Sequence, residues 1–181
     1  MDVARETSLG EALGDILRHP YATLIAAWNW KAAAVSVLLR AGVFFATNLR
    51  SGQHSAVRAM LVEAAFATAA AGLMGAATQR LRAARPVWAT AFIVWLGLPA
   101  LMLVAQFIWH RALGTPHLRT GLIASFCFAS LASGFNLFAM RRGAMLAGTD
   151  AASLTSDARA LPRIVLDFVL AVPRTLLRSV R

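Results

Sequence analysis

Four apolar stretches, each about the length of a membrane-crossing helix, constrain this chain more than any other feature. They run from about Trp30 to Leu49, Ala56 to Thr78, Val87 to Trp109 and Thr120 to Met140. A helix rises about 1.5 Å per residue, so about 20 residues cross the roughly 30 Å of bilayer hydrocarbon. The composition agrees: 59% of the 181 residues are hydrophobic and 14% are charged. A soluble domain carries about a quarter charged residues. The fold expected is all-α, a polytopic membrane protein of four transmembrane helices with amphipathic surface helices at both ends.

Charge sets the threading. Eighteen basic residues stand against eight acidic ones, a net charge of +10, and Lys31 is the only lysine. With both termini inside, thirteen basic residues fall on the inner side and four (Arg50, Arg58, Arg111 and Arg119) on the outer. Positive charge gathers on the cytoplasmic side of membrane proteins. A bacterial inner (cytoplasmic) membrane with both termini cytoplasmic is the localisation expected. Arginines that flank apolar runs report topology and anionic headgroups, and the soluble parts are too short for a nucleic-acid module, so no nucleic acid is expected.

The chain divides into four parts. Residues 1–29 form an N-terminal interfacial segment. Ser8 and Glu11 are spaced as a capping box, and Leu9, Leu13, Ile16 and Leu17 share a face. Acidic residues at 2, 6, 11 and 15 exclude a cleaved secretory signal. Residues 30–142 form the four-helix domain. Pro99 lies near the middle of the third stretch, where it removes one helical hydrogen bond and should bend the helix. Residues 143–160 read as a polar linker. Residues 161–181 read as a basic amphipathic helix lying in the membrane plane. Arg163, Arg174, Arg178 and Arg181 line one face of it, for contact with anionic headgroups.

Two charges lie inside the apolar stretches. Arg40 and Glu63 sit at similar depth on antiparallel neighbours, ~11–13 Å below the outer surface at 1.5 Å per residue. A lone charge there costs about 3 kcal/mol, which pairing reduces. The pair is either an ion pair that fixes helix register or a charged site facing a cavity. Ser36 and Thr47 share the Arg40 face, and Gln106 lies in the outer half of the third stretch; these five make a candidate intramembrane polar site. Ala56, Ala59, Ala67 and Ala70 share the Glu63 face, where they either admit a close neighbour or leave room. Small-residue spacings at Ala71/Gly75, Ala129/Ser133 and Ser130/Gly134 suggest tight contact between the second and fourth stretches.

Catalytic signatures are absent. There is no nucleophile elbow, zinc-protease motif, phosphate loop or dinucleotide fingerprint. His54, His110 and His117 fall in outer loops without metal-ligand spacing, and the single Cys127 lies in an apolar run. No catalytic residue, metal or cofactor is therefore expected. Three functions stay open: a non-catalytic accessory, scaffold or interaction subunit; a small oligomeric transporter or channel using Arg40 and Glu63; and a lipid-modifying membrane enzyme. The partners expected are membrane lipids, with a protein partner or a homo-oligomer left open.

Overall fold

The computed structural model describes residues 7–112, 118–148 and 151–179, and all regular structure among them is helical. Helix α1 (Leu9–Arg18) leads through a π-helical turn (Tyr21–Ile25) to α2 (Trp30–Asn48), and α3 (Gln53–Leu81) follows. Next come α4 (Val87–Phe92), a second π-helical turn (Ile93–Gly97) and α5 (Leu98–Ala112). Then come α6 (Leu118–Arg141) and α7 (Leu154–Ser179). Helices α2, α3 and α6, together with the rod α4–α5, occupy the four apolar stretches. One helix among the described residues, Val87–Ile108, is long and apolar enough to cross a membrane.

The capping box at α1 forms: Glu11 N–H donates to Ser8 Oγ at 3.1 Å, and Ser8 N–H to Glu11 Oε2 at 2.9 Å. Leu9, Leu13 and Ile16 then pack on a buried cluster of Ala12, Leu81, Ala84, Val94 and Leu137. The apolar face expected to lie on a membrane is thus mostly spent on the bundle, and Leu17 remains exposed. Backbone bonds Leu9 N–H to Arg85 O, 2.8 Å, and Arg85 N–H to Thr7 O, 3.1 Å, tie α1 to the α3–α4 connection.

Just before Pro99, where a bend is expected, the helix makes a π turn. Proline lacks the N–H that would bond Trp95 C=O, and its ring crowds that carbonyl. The helix widens instead, and Leu98 N–H reaches back five residues to Ile93 O. Helix α6 closes with Gly143 at φ +80. Gly143 N–H donates to Met140 O at 3.1 Å and Ala144 N–H to Ala139 O at 3.1 Å, the paired bonds of a Schellman end.

One boundary differs from the sequence reading. Helix α7 begins at Leu154, not 161. Ser153 accepts from Ser156 N–H at 3.2 Å and so caps the helix, and Asp157 in its first turn is held by a distant lysine. Pro162 consequently falls inside the helix. The tight glycine contacts also have other partners than expected. Gly75 faces Ala32 and Asn29 at the start of α2, Gly72 faces Trp28, and Gly134 faces Trp95. The closest approach is therefore of α3 to α2, with α6 close to the π turn of the third stretch. The reason is size: the glycines make room for an indole or a helix start, whereas the alanines of α3 and α6 line a gap.

Candidate functional site

That gap is a cleft of about 400 Å³ between α2, α3, α5 and α6, walled at one end by α7. Ala67 and Ala70 of α3 and Ala129 and Ala132 of α6 line it. These small side chains create the space. Phe66, Met74, Met102, Leu103 and Phe126 give it an apolar wall. Its polar groups are Ser36, Gln106, Ser133 and Asn136. No ionisable side chain lines it among the described residues. Helix α7 is held on this wall by Phe168, whose ring meets Phe135 edge-on at 5.6 Å and Phe138 at 5.3 Å. Contacts of this kind add about 0.5–1.5 kcal/mol each beyond their buried area.

Beside the cleft, where α2 begins, is a buried polar junction. Lys31 is 2% exposed and Asp157 3%, and Nζ lies 2.6 Å from Asp157 Oδ2. The same ammonium donates to Ala152 O and stands 5.8 Å from the Trp30 ring centroid. Asn29 is fully buried. Its Oδ1 caps α2 by accepting from Ala32 N–H at 3.0 Å, while Nδ2 donates to Gln79 Oε1 and Met145 O, both at 3.0 Å. Gln79 Nε2 donates to Ala147 O at 2.8 Å, and Gln79 Oε1 accepts from Ala147 N–H at 2.9 Å. Met145 takes a left-handed φ of 61, rare for a residue with a side chain. That conformation aims its carbonyl at Asn29 while the side chain stays buried beside Ile164. The segment from α6 to α7 is thus bonded group by group to α2 and α3.

Asn29→Ala removes a cap and strands the buried Met145 carbonyl, while Gln79 Oε1 keeps its bond from Ala147 N–H. It is expected to destabilise the protein in detergent by about 2 kcal/mol, read by thermal or denaturant unfolding. Asn29→Asp should lose at least as much, because it keeps the cap acceptor but sets a buried carboxylate against the Gln79 and Met145 oxygens.

A second ionic contact lies at the surface. Arg80 Nε donates to Asp15 Oδ2 at 2.9 Å, and His19 Nδ1 lies 3.2 Å from Oδ1. The hydrogen bond from Arg80, then that from His19, hold the Asp15 carboxyl below its ordinary 3.8. A depressed folded-state pKa means that the folded chain binds this proton less readily than the unfolded chain. The contact therefore stabilises above pH 3.8, and its contribution is lost as pH falls through the lower folded value. Asp15→Asn should lower the melting temperature slightly at pH 7, and the difference from wild type should vanish in acid. The pair is exposed, so the effect is small.

The structure brings two of the five sequence-derived site residues, Ser36 and Gln106, to the cleft. The side chains of Arg40, Thr47 and Glu63 lie outside the described residues, as do those of Arg174 and Arg178 and the whole of Arg181. Arg163 is exposed on α7. His54 is exposed, and His110 and His117 lie outside the described side chains. No group of three potential metal ligands occurs among the described residues. Sequence reasoning missed the Lys31–Asp157 pair: Lys31 read as a flanking charge and Asp157 as part of a linker. One signal did exist, since a chain that uses arginine seventeen times keeps its one lysine at the edge of an apolar helix.

Comparison with protein-family models, curated proteins and solved structures finds no match to this chain.

Proposed function

We propose that this chain is a four-span bacterial inner-membrane protein, with both termini cytoplasmic, that serves as a non-catalytic accessory or interaction subunit. The spans are α2, α3, Val87–Ile108 and α6. Only 17% of the apolar window in Val87–Ile108 is buried inside the protein. The core helix of a soluble protein would be largely covered, so the exposed apolar surface of this rod supports a membrane setting. Phe92, Leu101, Val104 and Ile108 are all exposed along it.

The observation that carries the non-catalytic reading is the chemistry of the cleft. Catalysis of proton or group transfer needs a titratable group, a nucleophile or a metal beside the substrate. The described lining of this cleft offers two serines, a glutamine and an asparagine on an apolar wall. Lys31, Asp157, Asp15 and Arg80 are engaged in joining helices. In this reading Arg40 and Glu63 form a register-fixing pair between α2 and α3.

Proteoliposomes test the reading against a transporter. The purified chain should leave proton and ion gradients undisturbed, and Glu63→Gln should change nothing. A flux that Glu63→Gln abolishes would replace the subunit reading with transport. Topology is checked separately in a Cys127→Ser background. Cysteine placed at His54 should react with an impermeant maleimide on intact cells. Cysteine placed at Ser156 should react only after permeabilisation.

A further inference from the structure

We infer that the interhelical cleft holds one acyl chain of an anionic phospholipid from the inner leaflet, entering between α6 and α7. The inference rests on the membrane-embedded reading above and adds the ligand class.

The first argument is the mouth. Leu131 of α6 and Val165 and Val169 of α7 line the cleft and are also exposed. They continue into the exposed Leu166. A ligand arriving from water would have to cross this apolar rim, whereas a chain already in hydrocarbon crosses it without desolvation. The second argument is size. A methylene takes about the volume of a water in the liquid, roughly 30 Å³, so 400 Å³ accommodates about 13 of them. That is most of an ordinary acyl chain. The few polar groups of the cleft leave its wall suited to such a chain.

The third argument is the arrangement of α7. At 3.6 residues per turn its surface divides into three arcs. Ile164 and Phe168 pack on the bundle; Val165, Leu166 and Val169 are apolar and exposed; Arg159 and Arg163 are exposed and cationic. An apolar exposed arc between a packed arc and a charged one fits a helix lying at the hydrocarbon–headgroup boundary. A chain passing Val165, Val169 and then Leu166 emerges toward the charged arc that carries Arg163, and positive charge selects an anionic headgroup. The thirteen-to-four distribution of basic residues puts this end at the cytoplasmic face, hence the inner leaflet.

Native mass spectrometry of the full chain tests the site. The protein is incubated in mild detergent with equal amounts of phosphatidylglycerol and phosphatidylcholine bearing the same chains. One phospholipid should remain bound, with phosphatidylglycerol favoured at least fivefold. Ala132→Phe and Ala70→Leu fill the cleft from α6 and α3, and each should reduce the adduct at least fivefold. Arg163→Ala should keep the adduct and bring the lipid preference close to one. Full adduct in the folded filled variants, equal retention of both lipids by wild type, or a free fatty acid in place of a phospholipid would each overturn the inference. A second measurement needs no variant. Phosphatidylglycerol with a mid-chain diazirine should label the cleft faces of α3, α6 and α7, and label confined to the outer face of Val87–Ile108 would sink the proposal. The cysteine-topology result stands apart from both. Correct topology without a cleft-bound lipid removes this inference alone, and failed topology removes the membrane reading beneath it.

Discussion

Lys31→Met is expected to cost about 3–5 kcal/mol, because it leaves the Asp157 carboxylate buried without its counter-charge. The loss should be local. Helix α7 is attached by the ion pair near its start and, two to three turns on, by Ile164 in the Met140–Met145 cluster and Phe168 between Phe135 and Phe138. None of these contacts is made by a side chain of α3. The cheapest response to an unpaired Asp157 is to release residues 151–160 into water, where the carboxylate is solvated again. The free energy of that local opening sets a ceiling on the measured cost. Hydrogen exchange should then show lost protection in the first turns of α7, with α3 amides at wild-type rates. The double variant Lys31→Met/Asp157→Leu removes both charges and fills the space with apolar atoms. It should recover most of the loss, since well-packed apolar replacements of buried ion pairs are often neutral or better. Uniform loss of protection across α2, α3 and α7 would show instead that the pair supports the whole bundle.

This junction also marks where the sequence stopped being informative. The helices themselves were legible, since apolar length and basic flanks are local properties. The capping box was legible for the same reason. The pairing of Lys31 with Asp157 was not, because the two residues lie 126 positions apart and each is unremarkable alone. Depth arithmetic works only for charges inside an apolar run, so it found Arg40 and Glu63 and passed over a pair formed where the run ends. The polar 143–160 segment read as linker because its composition is small and hydrophilic. Its carbonyls are in fact bonded to Asn29, Lys31 and Gln79, and only the fold brings those acceptors within reach. The small-residue spacings marked close approach correctly at Gly75 and named the wrong partner. Periodicity identifies the face of a helix, and the neighbour depends on which side chain is large enough to fill the space left there.

Gly75→Ala should be the more damaging of the two substitutions that test this α2–α3 contact, even though Gly72 has the worse nominal overlap. A Cβ at Gly75 would sit 2.6 Å from Ala32 Cβ and 2.9 Å from Asn29 Cβ. Carbon atoms pack at about 3.5–4.0 Å, so roughly 1 Å must be found. Both opposing atoms are Cβ atoms fixed to the α2 backbone, and no rotamer change moves them away. The helix start itself must shift, which strains the Asn29 bonds to Gln79 and Met145. At Gly72 the clash is with the Trp28 indole, a half-buried side chain that precedes α2 and can swing outward. Overpacking costs about 1–3 kcal/mol. Gly75→Ala should fall at the upper end of that range and Gly72→Ala at the lower, measured as unfolding free energies in the same detergent. Gly75→Leu should prevent assembly of the hairpin. The cost at Gly75 should also be partly shared with Asn29→Ala, because both act on the same helix start. The double variant Gly75→Ala/Asn29→Ala is therefore expected to lose less than the two single changes together, and strict additivity would show that the contact and the cap are independent.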